Sequence, residues 1–167
     1  MYYDDLYRYG KRFTREDALL EDALQETFLS VWKYRKTLSQ PASVKYYLQK
    51  AFRHQLLKLL SEQSRYAAGV DGQPFNFEIS FDQQWIAGED AASLSHQINT
   101  AIQQLSDRQR EIIYYRFFEN LSFEEIAQLM NMQVRGSYKL MARALAALKT
   151  AMKHDAIKIW IVLSNLC

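Results

Sequence analysis

Twice in the C-terminal half a serine is followed three positions later by a Gln or Glu: Ser106 with Gln109, and Ser122 with Glu125. At that spacing the serine hydroxyl and the longer side chain satisfy each other's orphan N–H groups, so each pair marks a helix start. Leu121 before the second box and Ile126 after it supply the hydrophobic staple that sets how the chain enters the helix. The segment from Leu105 to Lys149, LSDRQREIIYYRFFENLSFEEIAQLMNMQVRGSYKLMARALAALK, therefore reads as a short helix, a capped second helix, a tight turn and a longer basic helix. Ala127 is the small residue at the crossing of the last two helices. Met130 and Met132 flank Asn131, which tolerates the left-handed backbone of a tight turn. This order is the sequence form of a helix-turn-helix, whose final helix has the size and charge to lie in a DNA major groove. An ordinary helical hairpin of a small bundle is the alternative on pattern alone.

Beyond the turn, Arg135, Lys139, Arg143, Lys149 and Lys153 follow one another with no acidic residue from Gln128 to His154. Charges of that sign and spacing suit phosphate. The apolar residues of the same stretch, Val134, Met141, Leu145 and Leu148, form a narrow seam expected to be covered by a neighbouring helix rather than by a membrane.

Only two Pro and five Gly punctuate the 167 residues, and no alternating strand pattern exceeds a few positions, so the class is all-α. A hydrophobic share of 49% with 14% aromatics can bury one or two small cores and excludes a disordered chain. The net charge of +2 is uninformative beside its distribution. Residues 1–26 hold seven acids against four Lys or Arg, whereas Thr27 to Ser61 hold seven Lys or Arg and no acid. From Glu62 to Asp90 there are six acids and one base, Arg65. Such basic and acidic blocks suit a partner with a charge pattern of its own, or a solvated tether in the case of the acidic block.

The lone cysteine, Cys167, excludes an internal disulfide and a cysteine metal site, and fits a reducing cytoplasm. The N-terminus MYYDDLYRYG lacks the apolar core of a signal peptide. The apolar tail AIKIWIVLSNLC is well short of the ~20 residues a bilayer span needs, so no membrane span is expected. His54, His96 and His154 are scattered, and no HExxH, GxSxG or phosphate-loop pattern occurs. The Glu124–Glu125 pair falls where capping explains it. An enzyme, a cofactor and a metal site are all disfavoured.

In the first half, Leu20, Ala23, Leu24, Phe28 and Val31, followed by Trp32, recur at helical spacing from Asp17, and a second helix is expected from Val44 to about Leu60. Thr37 to Ser43, with Pro41, is a loop. Asp22, Gln25, Glu26 and Leu29 form a mixed strip that the helix's own core does not need. The second helix turns Leu48, Ala51, Phe52, Leu56 and Leu59 inward and leaves Lys45, Gln49, Lys50, Arg53, His54 and Lys58 toward solvent. Tyr34, Tyr46 and Tyr47 lie beside that cationic face, a combination suited to single-stranded nucleic acid. Trp32 and Phe52 are expected in the core. The organisation is thus a helical domain over 1–63, a flexible acidic linker over 64–91, a helix-turn-helix domain over 92–154 and an apolar tail over 155–167.

These segments resemble a known family. LLEDALQETFLSVW, SVKYYLQKAFRHQLLKLL and LSDRQREIIYYRFFENLSFEEIAQLMNM are similar to the polymerase-binding helix, the minus-ten-reading helix and the second-domain start of bacterial extracytoplasmic-function sigma factors. The resemblance runs from about Tyr2 to Met152, leaving aside the linker. It implies that Asp22, Gln25 and Glu26 grip the clamp helices of core RNA polymerase. It implies that the loop Ser39, Gln40 to Ser43 captures a flipped base of promoter DNA, with Lys45, Lys50, Arg53 and His54 along the melted strand. It further implies that Gln133, Arg135, Tyr138, Lys139 and Arg143 meet the minus-thirty-five element. An anti-sigma factor is an implied partner, and the acidic linker, with Asp71, Glu78, Asp82, Glu89 and Asp90, is implied to run through the RNA channel. The chain departs from the pattern at Ser137, where the family has a β-branched residue, and at Tyr138, where it often has Arg or Lys. A first helix ahead of YDDLYRYGKRFT is also expected from the family, which makes the N-terminus look short. The rival function is a stand-alone helix-turn-helix regulator.

Overall fold

In a computed structural model of the chain, residues 2–36, 43–66, 75–78 and 89–152 are described, and all regular structure among them is helical. The chain divides into two compact units, Met1–Phe75 and Asn76–Cys167. The first holds α1 (Tyr2–Gly10), α2 (Asp17–Tyr34) and α3 (Val44–Tyr66). The second holds α4 (Glu89–Gln103), α5 (Asp107–Phe117), α6 (Phe123–Leu129) and α7 (Val134–Ala151).

The core of the first unit forms where three apolar stripes meet. α2 contributes Leu20, Ala23 and Leu24 with Thr27, whose buried hydroxyl donates to the Ala23 carbonyl at 2.7 Å. Leu48, Phe52 and Leu56 come from α3. α1 supplies the third stripe, Leu6 and Tyr9 with Phe13 just beyond it. This helix is absent from the sequence expectation because five of its nine residues are Tyr or Gly, poor helix formers. Packing of its apolar face, rather than propensity, holds it. Gly10 permits the close approach: a Cβ there would lie 2.6 Å from Leu20 Cδ2 and 2.9 Å from Phe52 Cζ, two side chains that are fully buried. Outside the core, the Tyr7 hydroxyl donates to Asp17 Oδ1 at 2.7 Å and the Lys11 ammonium bonds the same oxygen, tying the end of α1 to the start of α2. The Lys11 bond, then the Tyr7 bond, hold the Asp17 carboxyl below its ordinary pKa.

In the second unit both serine boxes form. Ser122 Oγ accepts from Glu125 N at 3.2 Å while Ser122 N donates to Glu125 Oε2 at 2.8 Å. Gln109 Oε1 accepts from Ser106 N at 3.0 Å and from its hydroxyl at 3.1 Å. Leu121 and Ile126, the two staple residues, are buried, as is Ala127 at the crossing. Asn131 takes the left-handed backbone, φ +50°, and Asn120 does the same at φ +52° after α5. α4, which has no counterpart in the sequence expectation, buries Ile98, Ala101 and Ile102 and makes contacts with α7. A buried carboxylate, Glu111, accepts from the Tyr115 hydroxyl at 2.7 Å.

Two phenylalanines from the span assigned to the linker are buried, each in its own unit. Phe75 meets Phe13 edge-on, ring centroids 5.0 Å apart. Phe77 lies 5.6 Å from Tyr114 and 5.2 Å from Phe118, which stack on one another. α3 runs to Tyr66, three residues past the expected edge of the first domain. Most of the acidic segment, Asp71, Asp82 and the apolar tail with it, lies outside the described residues.

Replacing Gly10 by Ala should destabilise the first unit by about 1–3 kcal/mol, the usual cost of overpacking a filled core. Urea denaturation followed through the core signal of this unit checks it.

Candidate functional site

α7 shows one face inward and another outward. Ser137, Met141, Ala144 and Leu148 recur at four- and three-residue steps and are buried against the rest of the unit. Arg135, Lys139, Arg143 and Lys149 are exposed, as are Gln133 at the N-cap and Tyr138. All five residues expected at the duplex, Gln133, Arg135, Tyr138, Lys139 and Arg143, are therefore on solvent-facing positions of one helix and its cap. Lys153 lies outside the described residues.

The buried seam differs from the expected one. Val134 is 37% exposed and Leu145 half-buried, while Ser137 and Ala144 take the innermost places. The reason is phase: residues 137, 141, 144 and 148 share the face toward α5 and α6, and Val134 starts the helix where nothing yet covers it. Ser137 consequently has no place on a base-reading face. Its hydroxyl donates to Val134 O at 2.7 Å and lies 3.3 Å from Phe123 O, linking α7 to the first residue of α6. A small hydroxyl that finds two carbonyls suits this crossing.

Tyr138 is braced from the side. Its ring lies 4.1 Å from that of Phe123, at an interplanar angle of 31°. Phe123 in turn has the Arg116 guanidinium 5.5 Å from its centroid, and Arg116 Nη1 donates to Leu121 O at 2.9 Å.

In the first unit, α2 leaves Asp22, Gln25, Glu26 and Leu29 exposed on successive turns. Trp32 extends this strip. Expected in the core, it is 66% exposed because the buried face of α2 runs through Leu20, Ala23, Leu24 and Thr27 and Trp32 stands off that line. The Arg35 guanidinium lies 3.9 Å over its ring and donates to the Trp32 carbonyl at 2.6 Å.

The basic face of α3 keeps Lys45, Lys50, His54 and Lys58 exposed, with Arg53 half-buried. Gln49, expected among them, is instead only 4% exposed, because it shares a face with Phe52 and Leu56, three and seven residues on. Tyr34 is exposed with the Lys33 ammonium 5.5 Å from its ring, and Tyr46 and Tyr47 are half-buried. Asp5 on α1 has its carboxyl held below the ordinary pKa, chiefly by the hydrogen bond from Arg8, with the charge of Lys45 adding a smaller part. Ser43 is exposed and caps α3: its Oγ accepts from Tyr46 N at 3.2 Å. Ser39, Gln40 and Pro41 lie outside the described residues.

Two family models match the chain: sigma-70 region 2 over residues 1–66 and sigma-70 region 4 over residues 95–148. Together they take in most of it. The chain belongs to the sigma-70 family. The region 2 match contains α1, α2 and α3, and the region 4 match contains the helix-turn-helix. No curated protein sequence matches. Among solved structures, the fold is similar to that of the sigma factor RpoE from Bartonella quintana in its co-crystal with the anti-sigma factor NepR. The TM-score is 0.61 at 18% identity, covering 92% of this chain and 93% of that one. A sigma factor works in transcription initiation with core RNA polymerase and promoter DNA, and this alternative sigma factor does so. No helix among the described residues is long and apolar enough to cross a membrane. Nor do those residues hold a cluster of His, Cys, Asp or Glu able to bind a metal.

Removing the Ser137 hydroxyl with S137A should lower the stability of the region 4 unit by about 1 kcal/mol, the usual worth of a buried hydrogen bond. Thermal unfolding measured with and without the substitution checks it.

Proposed function

We propose that this sigma factor holds core RNA polymerase with the α2 strip Asp22, Gln25 and Glu26, and meets promoter DNA on two separate faces. One is the α3 face of Lys45, Lys50, Arg53 and His54 with the loop Ser39, Gln40 and Ser43, which takes the melted minus-ten strand. The other is Gln133, Arg135, Tyr138, Lys139 and Arg143, which takes the minus-thirty-five duplex. The observation that carries this reading is the outward cationic face of α7, on a helix whose opposite face is buried in its own unit. A recognition helix needs that division: one side to be held, the other to enter the groove.

Support for the melted-strand face comes from the exposed Tyr34 beside Lys33 and the exposed lysines of α3. Extruding a base costs a few kcal/mol, which aromatic stacking worth ~1–3 kcal/mol per base offsets. The acidic segment, with Asp71, Glu78, Asp82, Glu89 and Asp90, follows the path of the transcript and imitates its charge. An anti-sigma factor controls the protein by covering these faces, a reading supported by the anti-sigma complex of the similar RpoE. The chain acts by binding alone, without catalysis, and in the cytoplasm, where polymerase and DNA are.

Replacing Arg135, Lys139 and Arg143 together by Ala should weaken duplex binding and flatten its dependence on the logarithm of salt concentration by up to about three units. Binding measured from low to high salt tests the placement, and an unchanged slope would put α7 elsewhere. Reversing the strip with D22K and E26K should abolish association with core polymerase while the helical content by circular dichroism stays that of the unaltered protein. Failure of the unaltered chain to bind core polymerase, with tight duplex binding by itself, would replace this reading with that of a stand-alone regulator.

A further inference from the structure

Val134 and Tyr138 are the two large apolar side chains exposed in the second unit among the described residues, at 37% and 52%. They stand one helical turn apart at the start of α7, where a recognition helix reaches base edges. One position along, Arg135 and Lys139 form a parallel exposed pair. The first turns of α7 therefore present an apolar row beside a cationic row.

We infer that Val134 and Tyr138 read the C5-methyl groups of thymine in the major groove, making the duplex element of this sigma factor thymine-selective where they contact it. The inference rests on the proposed placement of α7 in the duplex. In that groove the edges of the bases are hydrogen-bond donors and acceptors, except for the thymine methyl, which is the apolar partner available to such a row. Opposite guanine or cytosine the same side chains would desolvate polar edges without pairing them. The Tyr138 ring is also held ready: Phe123 packs against it at 4.1 Å, and Arg116 lies over Phe123 while anchored to the Leu121 carbonyl. A braced aromatic loses little rotamer freedom on contact. The neighbouring Arg135 and Lys139 add electrostatic attraction to the duplex.

The test uses the full chain with core RNA polymerase and a pool of duplexes randomised across the upstream element. The unaltered protein should enrich thymine at one or two adjacent positions. In the selected duplex, replacing that thymine by deoxyuridine, which removes the methyl alone, should weaken the complex about fourfold. Y138A should lose the enrichment at the position that Tyr138 contacts, and with it the sensitivity to deoxyuridine there, whereas Y138F should keep both because the ring and not the hydroxyl makes the contact. Equal binding of the thymine and deoxyuridine duplexes by the unaltered protein, or Y138F behaving as Y138A, overturns the inference. The Arg135, Lys139 and Arg143 triple-Ala variant is selected alongside. If it enriches the same sequence with the same affinity, the duplex placement of α7 fails and this contact with it. If it loses binding while Y138A still selects thymine at every position that the unaltered protein does, the methyl contact alone is overturned.

Discussion

The exposed basic face of α7 depends on how a seven-residue helix is held. α6 is too short to persist by its own hydrogen bonds, so its existence rests on the Ser122–Glu125 cap and on burial of Ile126, Ala127 and Leu129. The backbone then turns at Asn131, whose left-handed φ of +50° would strain most other residues, and α7 begins immediately. Met132 N donates to Ala127 O at 2.9 Å across that turn, and Ser137 ties α7 back to the first residue of α6. With the turn and the crossing both pinned, the phase of α7 has no freedom, and every exposed side chain on it is placed.

The first unit solves a related problem by close packing. α1, α2 and α3 approach at Gly10, where even a methyl group would collide with Leu20 and Phe52. That tight seat commits one face of α2 to the core and leaves Asp22, Gln25, Glu26, Leu29 and Trp32 exposed. On α3 the same commitment draws Gln49 inward and leaves the lysines out. Rigid interiors thus define the surfaces by exclusion, and the acids of α2 and the lysines of α3 lie on exposed faces of separate helices.

Much of this was legible beforehand where the signal was local. Caps, the staple and the left-handed Asn131 depend on neighbours within a few positions, and all of them formed. The exposed basic residues of α7 were equally plain, since Lys and Arg with no acid nearby in the sequence stay in water. The misjudged residues sit at the edges of amphipathic faces. Val134 and Trp32, expected inward, are exposed and Gln49, expected outward, is buried; one position along a helix is a 100° rotation, enough to exchange core for solvent. α1 is not legible in the sequence because its tyrosines and glycine argue against a helix until a docking surface exists. Phe75 and Phe77 looked like linker because the acids and glycine around them hide two aromatic anchors whose partners, Phe13, Tyr114 and Phe118, are far away in sequence.

By itself the amino-acid order determined the helical class, the starts of α5 and α6, the turn before α7 and the segregation of charge, because propensity, capping and electrostatics act over short spans of chain. Only the tertiary structure decided which side of each helix meets solvent, that Gly10 is a contact point, that Ser137 is an internal anchor and that Val134 and Tyr138 face outward together. Those are outcomes of helices competing for the same buried volume. No residue carries that information alone, since the winner is set by what the other helices have already filled.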